Sequence, residues 1–214
     1  MGETWVYAIV AMALSYLSGS IPTSVWWGKA FYGLDVREHG SKNAGATNTF
    51  RVLGPSAGIP VLLIDMLKGF APVRVLAWWS GFPDDSAQFT WLRVGMALCA
   101  VLGHLYPVFA GFRGGKGVAT SFGCILALHR GIAMICLGVF VLVFLLFRYV
   151  SLASLCAALA FPLATFLLDT EQHFVFRGFS LAIAVLVFWT HRTNIGRLLR
   201  GEEQRMRPSH GISP

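Results

Sequence analysis

From Gly131 to Phe147, and again from Tyr149 to Leu168, the chain carries no charged side chain. A helix of about 20 residues at 1.5 Å each covers the ~30 Å hydrocarbon core of a bilayer, so runs of this kind constrain the fold before anything else does. Apolar runs bounded by charges or by Gly and Pro recur along the sequence, and they predict seven spans: about 5–28, 57–79, 89–110, 117–129, 131–148, 151–168 and 174–190. Charge is scarce everywhere. Only 13% of the 214 residues are charged, where a soluble chain holds about a quarter. That excludes an ordinary soluble domain, a disordered tail and a nucleic-acid-binding module, despite a net charge of +7. The expected fold class is an all-α integral membrane protein, with 1–214 a single polytopic domain and 191–214 its cytoplasmic tail.

Two features bear on topology. The fourth span is short: 13 residues reach only ~20 Å, so that helix needs protein or water around it. The basic residues are lopsided. With the N-terminus outside, Lys29, Arg37, Lys42, Arg51, Arg113, Lys116, Arg148, Arg192, Arg197, Arg200, Arg205 and Arg207 fall inside, and Arg130 and Arg177 fall outside. Asp84, Asp85, Asp169 and Glu171 also fall outside, and Lys68, Arg74 and Arg93 lie within spans. This positive-inside pattern favours N-out, C-in, and it is damaged if the fourth segment does not cross. Met1-Gly-Glu-Thr has no basic stretch, so the first apolar segment is expected to be permanent. Cys99, Cys124, Cys136 and Cys156 read as small hydrophobes in helices.

Three irregular polar stretches fall on the inside face. The first, His39 to Arg51, is dense in Gly, Ser and Asn. Ser41, Asn43, Thr47 and Asn48 offer donors, and Arg51 offers a fork suited to phosphate oxygens. The second runs from Gly103-His-Leu-Tyr-Pro107 into Arg113-Gly-Gly-Lys-Gly-Val-Ala-Thr120. A glycine loop opening a helix makes an anion cradle, with Lys116 as its cation. It is not a Walker A loop, because Gly117 stands where Ser or Thr would bind magnesium. The third begins at His191. His191 and Asn194 share a helix face at i,i+3, beside an apolar stripe of Ile195, Leu198 and Leu199 that would equally suit an amphipathic helix on headgroups.

Smaller signals accompany these stretches. Ser151 and Ser154 share a face at the inner start of the sixth span. Asp65 and Lys68 sit at i,i+3 inside the second span, where an ion pair or a substrate contact would each explain them. Pro22 should break the first span near its inner end.

Taken together, Gly19-Ser-Ile-Pro22 with Lys29, the Ser41 to Arg51 segment, Asp65-Met-Leu-Lys-Gly69, Gly103 to Thr120 and His191-x-x-Asn194-Ile-x-Arg197-Leu resemble one family in order along essentially the whole chain. It is the bacterial acyl-phosphate-dependent glycerol-3-phosphate acyltransferase family. The resemblance departs at Lys42, where the family usually has glycine. It implies seven helices, a site at the cytoplasmic face and residence in the bacterial inner membrane. It also implies transfer of an acyl chain from acyl phosphate to the 1-hydroxyl of glycerol 3-phosphate, giving lysophosphatidic acid and inorganic phosphate.

The resemblance further places Ser41, Arg51, Lys116, Ser154, His191 and Asn194 around the acyl-phosphate headgroup, with Lys116, His191 and Asn194 catalytic. Gly114, Gly115, Gly117 and Lys116 would hold glycerol 3-phosphate, with Lys68, Asn43, Asn48 and Ser151 as further contacts. An acyl phosphate is already activated, so positioning and charge stabilisation count for more than a covalent nucleophile. Gly54-Pro-Ser-Ala-Gly58 matches the Gly-x-Ser-x-Gly spacing but opens an apolar span and follows no strand pattern, so it is not a nucleophile elbow, and no histidine has Asp five residues later. No cofactor, metal, nucleic acid or obligate protein partner is expected; the partners are the two substrates and membrane lipid. A transporter of a phosphorylated metabolite is the rival class, and it should place its site near the midplane between repeats. A scaffold in which Arg51 and Lys116 only set topology is the third.

Overall fold

The computed structural model describes residues 2–168 and 174–206, so Asp169, Glu171 and Arg207 of the topology argument lie outside the described residues. The described chain is helical, with no strand among those residues. Its helices overlap the apolar runs and also form in the polar stretches at 46–53 and 192–199. Ten are numbered in chain order: α1 Gly2–Gly19, α2 Thr23–Tyr32, α3 Ala46–Leu53, α4 Pro55–Val75, α5 Ala87–Leu105, α6 Val118–Leu128, α7 Arg130–Phe147, α8 Val150–Leu168, α9 Phe174–Thr190 and α10 Arg192–Leu199. By length and apolarity three could cross a membrane, α5 with its following turn, α7 and α8. The count is five if the bent pairs α1–α2 and α9–α10 each make one span.

The described helices gather into two compact units, α1 to α6 and α7 to α10. In the first, α4 packs against α6 and α1 against α5. Both contacts are made by glycine. A Cβ on Gly123 would lie 2.0 Å from the Met66 carbonyl oxygen, and one on Gly103 2.2 Å from that of Tyr16. Missing side chains let the backbones approach until van der Waals packing holds the pair, which matters in lipid, where no hydrophobic force draws helices together.

The predicted break at Pro22 is present. The chain leaves α1 at Gly19 and re-enters helix at Thr23, bent by 41°. Proline removes a donor, so carbonyls at the break need outside partners. One comes from α4, where Lys68 Nζ donates to the Ile21 oxygen at 2.8 Å. In return, Ser18 Oγ donates to the Lys68 carbonyl at 2.9 Å. The short α6 ends against another basic residue: Arg93 on α5 donates through its guanidinium to the Ala127 carbonyl. A cation at a helix C-terminus satisfies an orphan acceptor and complements the dipole.

In the second unit α7 leads into α8 through Arg148, which takes the left-handed conformation at φ 62°. Phe161 on α8 meets Phe176 and Phe179 on α9 edge to face, with centroids 5.7 and 5.8 Å apart. The chain then bends by 61° between α9 and α10. Leu142, Leu145 and Leu146 on α7 and Leu163 and Leu167 on α8 are exposed. A water-facing protein does not present such a surface, and lipid chains cover it without cost.

Candidate functional site

The residues singled out by sequence are described within their own units. In the first unit, the Ser41 loop is closed by Asn48, fully buried at the start of α3. Its amide nitrogen donates to the carbonyls of Val36 (2.7 Å) and His39 (3.1 Å). Its Oδ1 accepts from the Ser41 N–H (2.8 Å) and hydroxyl (3.1 Å). An asparagine amide has two N–H donors and one carbonyl, so this side chain is spent on the loop. Ser41 is exposed, Asn43 half-buried beside Gly45, and Arg51 half-buried on the last turn of α3.

Ahead of this loop, Asp35 caps the short 3₁₀ turn Val36–Glu38 and binds the Arg37 guanidinium, with Oδ2 2.8 Å from Nη2 and 3.3 Å from Lys29 Nζ. The Arg37 guanidinium holds the Asp35 carboxyl well below the usual carboxylate range, and Asp35 raises Arg37 in turn. Arg37 Nη1 also donates to the Ala110 carbonyl at 3.0 Å, tying this turn to the segment before the glycine loop.

That loop, Arg113 to Gly117, rests on the end of α5. The N–H groups of Gly114 and Gly115 each donate at 3.2 Å, to the carbonyls of Leu105 and His104. There is no room for side chains. A Cβ on Gly114 would lie 2.0 Å from the His104 oxygen, and one on Gly115 2.3 Å from His104 Nε2 and 2.6 Å from the Ala44 oxygen. Gly117 takes φ +78° as the chain turns into α6. Lys116 is half-buried between them.

Behind the loop lies a buried polar cluster. Lys68 and Asp65 pair at 2.8 Å, as their spacing on α4 suggests. His104 Nδ1 is 3.9 Å from the Asp65 carboxylate and 3.1 Å from Thr120 Oγ1. Lys68 is a sequence-predicted contact, whereas His104 and Thr120 have no role assigned by sequence; a histidine within an apolar span, one helix on from Asp65, is the available signal.

In the second unit, Glu203 does for the His191 segment what Asn48 does for Ser41. This buried carboxylate accepts from Ser151 Oγ (2.7 Å) and Asn194 Nδ2 (2.7 Å) on Oε1 and from Arg197 Nε (2.8 Å) on Oε2. Burial alone would raise the Glu203 carboxyl, but the Arg197, Asn194 and Ser151 donors outweigh it and hold the group below its ordinary value. Glu203 brings Ser151 and Asn194 together; Ser154 instead donates to the carbonyl of Val150 at 2.8 Å. His191, buried at the bend, has Nδ1 2.8 Å from the Val187 oxygen. A carbonyl only accepts, so Nδ1 carries the proton and Nε2 is the basic nitrogen of the neutral ring.

Among the described residues no group of three His, Cys, Asp or Glu side chains gathers to hold a metal. What the fold defines is a helical membrane protein, with a tight glycine–lysine loop in its first unit and a carboxylate-braced His/Asn segment in its second.

Comparison with known proteins gives this class its family. The model of the glycerol-3-phosphate acyltransferase family matches residues 9–201. The glycerol-3-phosphate acyltransferase of Fusobacterium nucleatum is 44% identical over 196 residues, covering 92% of this chain and 96% of that one. That of Thermosynechococcus vestitus is 42% identical over 203 residues, covering 92% and 94%. Among solved structures, the crystal structure of PlsY, an integral membrane glycerol 3-phosphate acyltransferase, in its glycerol 3-phosphate form superposes with a TM-score of 0.83 at 38% identity, over 94% of this chain and 96% of that one. Its lysophosphatidic acid form superposes with a TM-score of 0.81. The chain belongs to the glycerol-3-phosphate acyltransferase family, as its motifs indicate, and it is an acyltransferase of the membrane.

Proposed function

We propose that the protein transfers an acyl chain from acyl phosphate to the 1-hydroxyl of glycerol 3-phosphate at the cytoplasmic face of the bacterial inner membrane. The observation that carries this reading is the likeness to PlsY along 94% of the chain, together with a glycine loop too tight to admit a side chain. The charge asymmetry supports seven spans, with the N-terminus outside and α6 the short crossing.

The reaction needs three things from the protein: two phosphates held apart from water, a hydroxyl aimed at a carbonyl carbon, and stabilisation of charge as the bond to phosphate breaks. Lys116 holds glycerol 3-phosphate at the loop that Gly114, Gly115 and Gly117 shape, the Gly114 and Gly115 N–H groups being committed to α5. Arg51 contributes a guanidinium to the headgroup of acyl phosphate, and Ser41 contributes its hydroxyl by turning away from Asn48 when substrate binds. Asn48 positions Ser41 instead of touching substrate, since its amide is already committed. Lys68 has a comparable commitment to Asp65 and Ile21, which makes it a brace for the α1–α2 break. Asn43 remains the loop's further substrate contact.

Within the second unit, His191 and Asn194 are the residues suited to binding a phosphate, with Ser151 and Asn194 anchored on the same Glu203 oxygen and Ser154 one turn along α8 from Ser151. The attacking oxygen forms the ester bond to the carbonyl carbon, the carbon–oxygen bond to phosphate breaks, and the departing phosphate takes the hydroxyl proton. His191, when protonated at both ring nitrogens, donates from Nε2 to the phosphate and stabilises its charge, and the reaction needs no separate base.

Purified protein incubated with palmitoyl phosphate and radiolabelled glycerol 3-phosphate tests the reading. Labelled lysophosphatidic acid is the expected product. Accumulation of unchanged label inside sealed vesicles, with no lipid product, would favour a transporter instead.

A further inference from the structure

Most cations near the first unit's polar loops are committed. Lys29 and Arg37 share Asp35, and Lys68 is paired with Asp65. Lys42 and Arg113 differ: among the described residues neither side chain has an ion-pair partner, and both are exposed. They line the same open cavity of about 560 Å³, whose wall also includes Arg37, Glu38 and Gly114. The volume lies within the range of small-molecule sites, and Gly114 belongs to the loop proposed to hold glycerol 3-phosphate.

Lys42 is also held in the left-handed region, at φ 57°. For a residue with a Cβ that conformation is strained, and glycine would not incur the strain. A lysine standing where the backbone favours glycine points to use of its charge. Asp35 is also on the wall but is occupied by Arg37 and Lys29; Glu38 is the wall's second carboxylate and the one that opposes the Lys42 charge.

We propose that Lys42 and Arg113 form an outer station for the phosphate of glycerol 3-phosphate, gathering the dianion at the cavity and passing it to the glycine loop without taking part in acyl transfer. The inference rests on the proposed function. Charges on a water-filled wall act by raising local substrate concentration and encounter rate, and salt screens them over ~8 Å at physiological ionic strength.

The test compares wild-type protein with Lys42→Gly, Lys42→Gln and Lys42→Arg, measuring kcat and both Michaelis constants at low and high ionic strength. Glycine suits the left-handed backbone, so Lys42→Gly removes the charge without strain, and Lys42→Gln controls for added loop freedom. At low salt both neutral variants should raise KM for glycerol 3-phosphate roughly threefold to tenfold, with kcat within about twofold and KM for acyl phosphate unchanged. Lys42→Arg should restore the wild-type constant, and at ~1 M salt the variants should converge. An unchanged KM for glycerol 3-phosphate, a fall in kcat, or a shift in the acyl-phosphate constant would overturn the station while leaving the proposed function intact. No lysophosphatidic acid from the wild-type protein would overturn both.

Discussion

Asn194 donates from Nδ2 to Glu203 Oε1 at 2.7 Å, so a proposed catalytic amide is aimed by a carboxylate nine residues further along the chain. The same oxygen accepts from Ser151, and Arg197 holds the other. Glu203→Ala leaves these donors without their shared acceptor. A buried donor left unpaired costs ~1–3 kcal/mol, and a displaced amide lowers turnover as well. We expect Glu203→Ala to lose most activity and to lower the melting temperature in detergent, with Glu203→Gln intermediate because its oxygen still accepts from Asn194. Wild-type turnover in Glu203→Ala would show that Asn194 needs no such support.

Acid should weaken both braces in a defined direction. Asp35 and Glu203 each have a carboxyl held below its ordinary value in the folded protein. A lowered folded value means the ionised group stabilises the fold fully above the unfolded value, and that contribution is lost as pH falls through the folded one. Thermal stability should therefore be flat on the neutral side of the carboxylate range and fall below it. Asp35→Asn should flatten part of that fall. A profile that rises with acid would contradict the assignment.

The glycine loop makes a steric prediction. Gly115→Ala places a methyl 2.3 Å from His104 Nε2 and 2.6 Å from the Ala44 carbonyl, so the loop must shift. A displacement near 1 Å in a positioning element costs on the order of 100-fold in rate. Gly138 on α7 has open space around a Cβ, and Gly138→Ala should leave both activity and stability nearly as they were. Initial rates at saturating acyl phosphate distinguish the two.

Breaking the buried pair on α4 should cost more than deleting it. Lys68→Met strands Asp65 in a dry interior and releases the Ile21 carbonyl at the helix break; the expected loss is roughly 3 kcal/mol. The double variant Asp65→Leu, Lys68→Met removes the stranded charge and should recover part of that loss. Equal melting temperatures for single and double variants would mean that Asp65 is not the source of the penalty.

These relationships differ in how far sequence foretells them. The helices follow from the runs themselves, because a segment such as Gly131 to Phe147 has no polar alternative in lipid. The break at Pro22 follows from a missing N–H, and the Asp65–Lys68 pair from i,i+3 spacing. Glu203 was not legible. Its partners Ser151 and Asn194 come from different helices, and only the bend after α9 brings the tail back to them. Asn48 was legible as a polar residue in a polar loop, but not as one already saturated by that loop. His104 was hidden for the same reason as Glu203: its meaning lies in Thr120 and Asp65, which belong to other helices.

The central claim is that one turnover converts one acyl phosphate and one glycerol 3-phosphate into one lysophosphatidic acid and one inorganic phosphate. It is tested most directly by measuring both products from the same reaction, using wild-type protein and Lys116→Ala in detergent. The account predicts equal molar amounts of phosphate and lysophosphatidic acid from the wild type, and near-complete loss of both in the variant. Phosphate released without lipid product, or full turnover in Lys116→Ala, would contradict it.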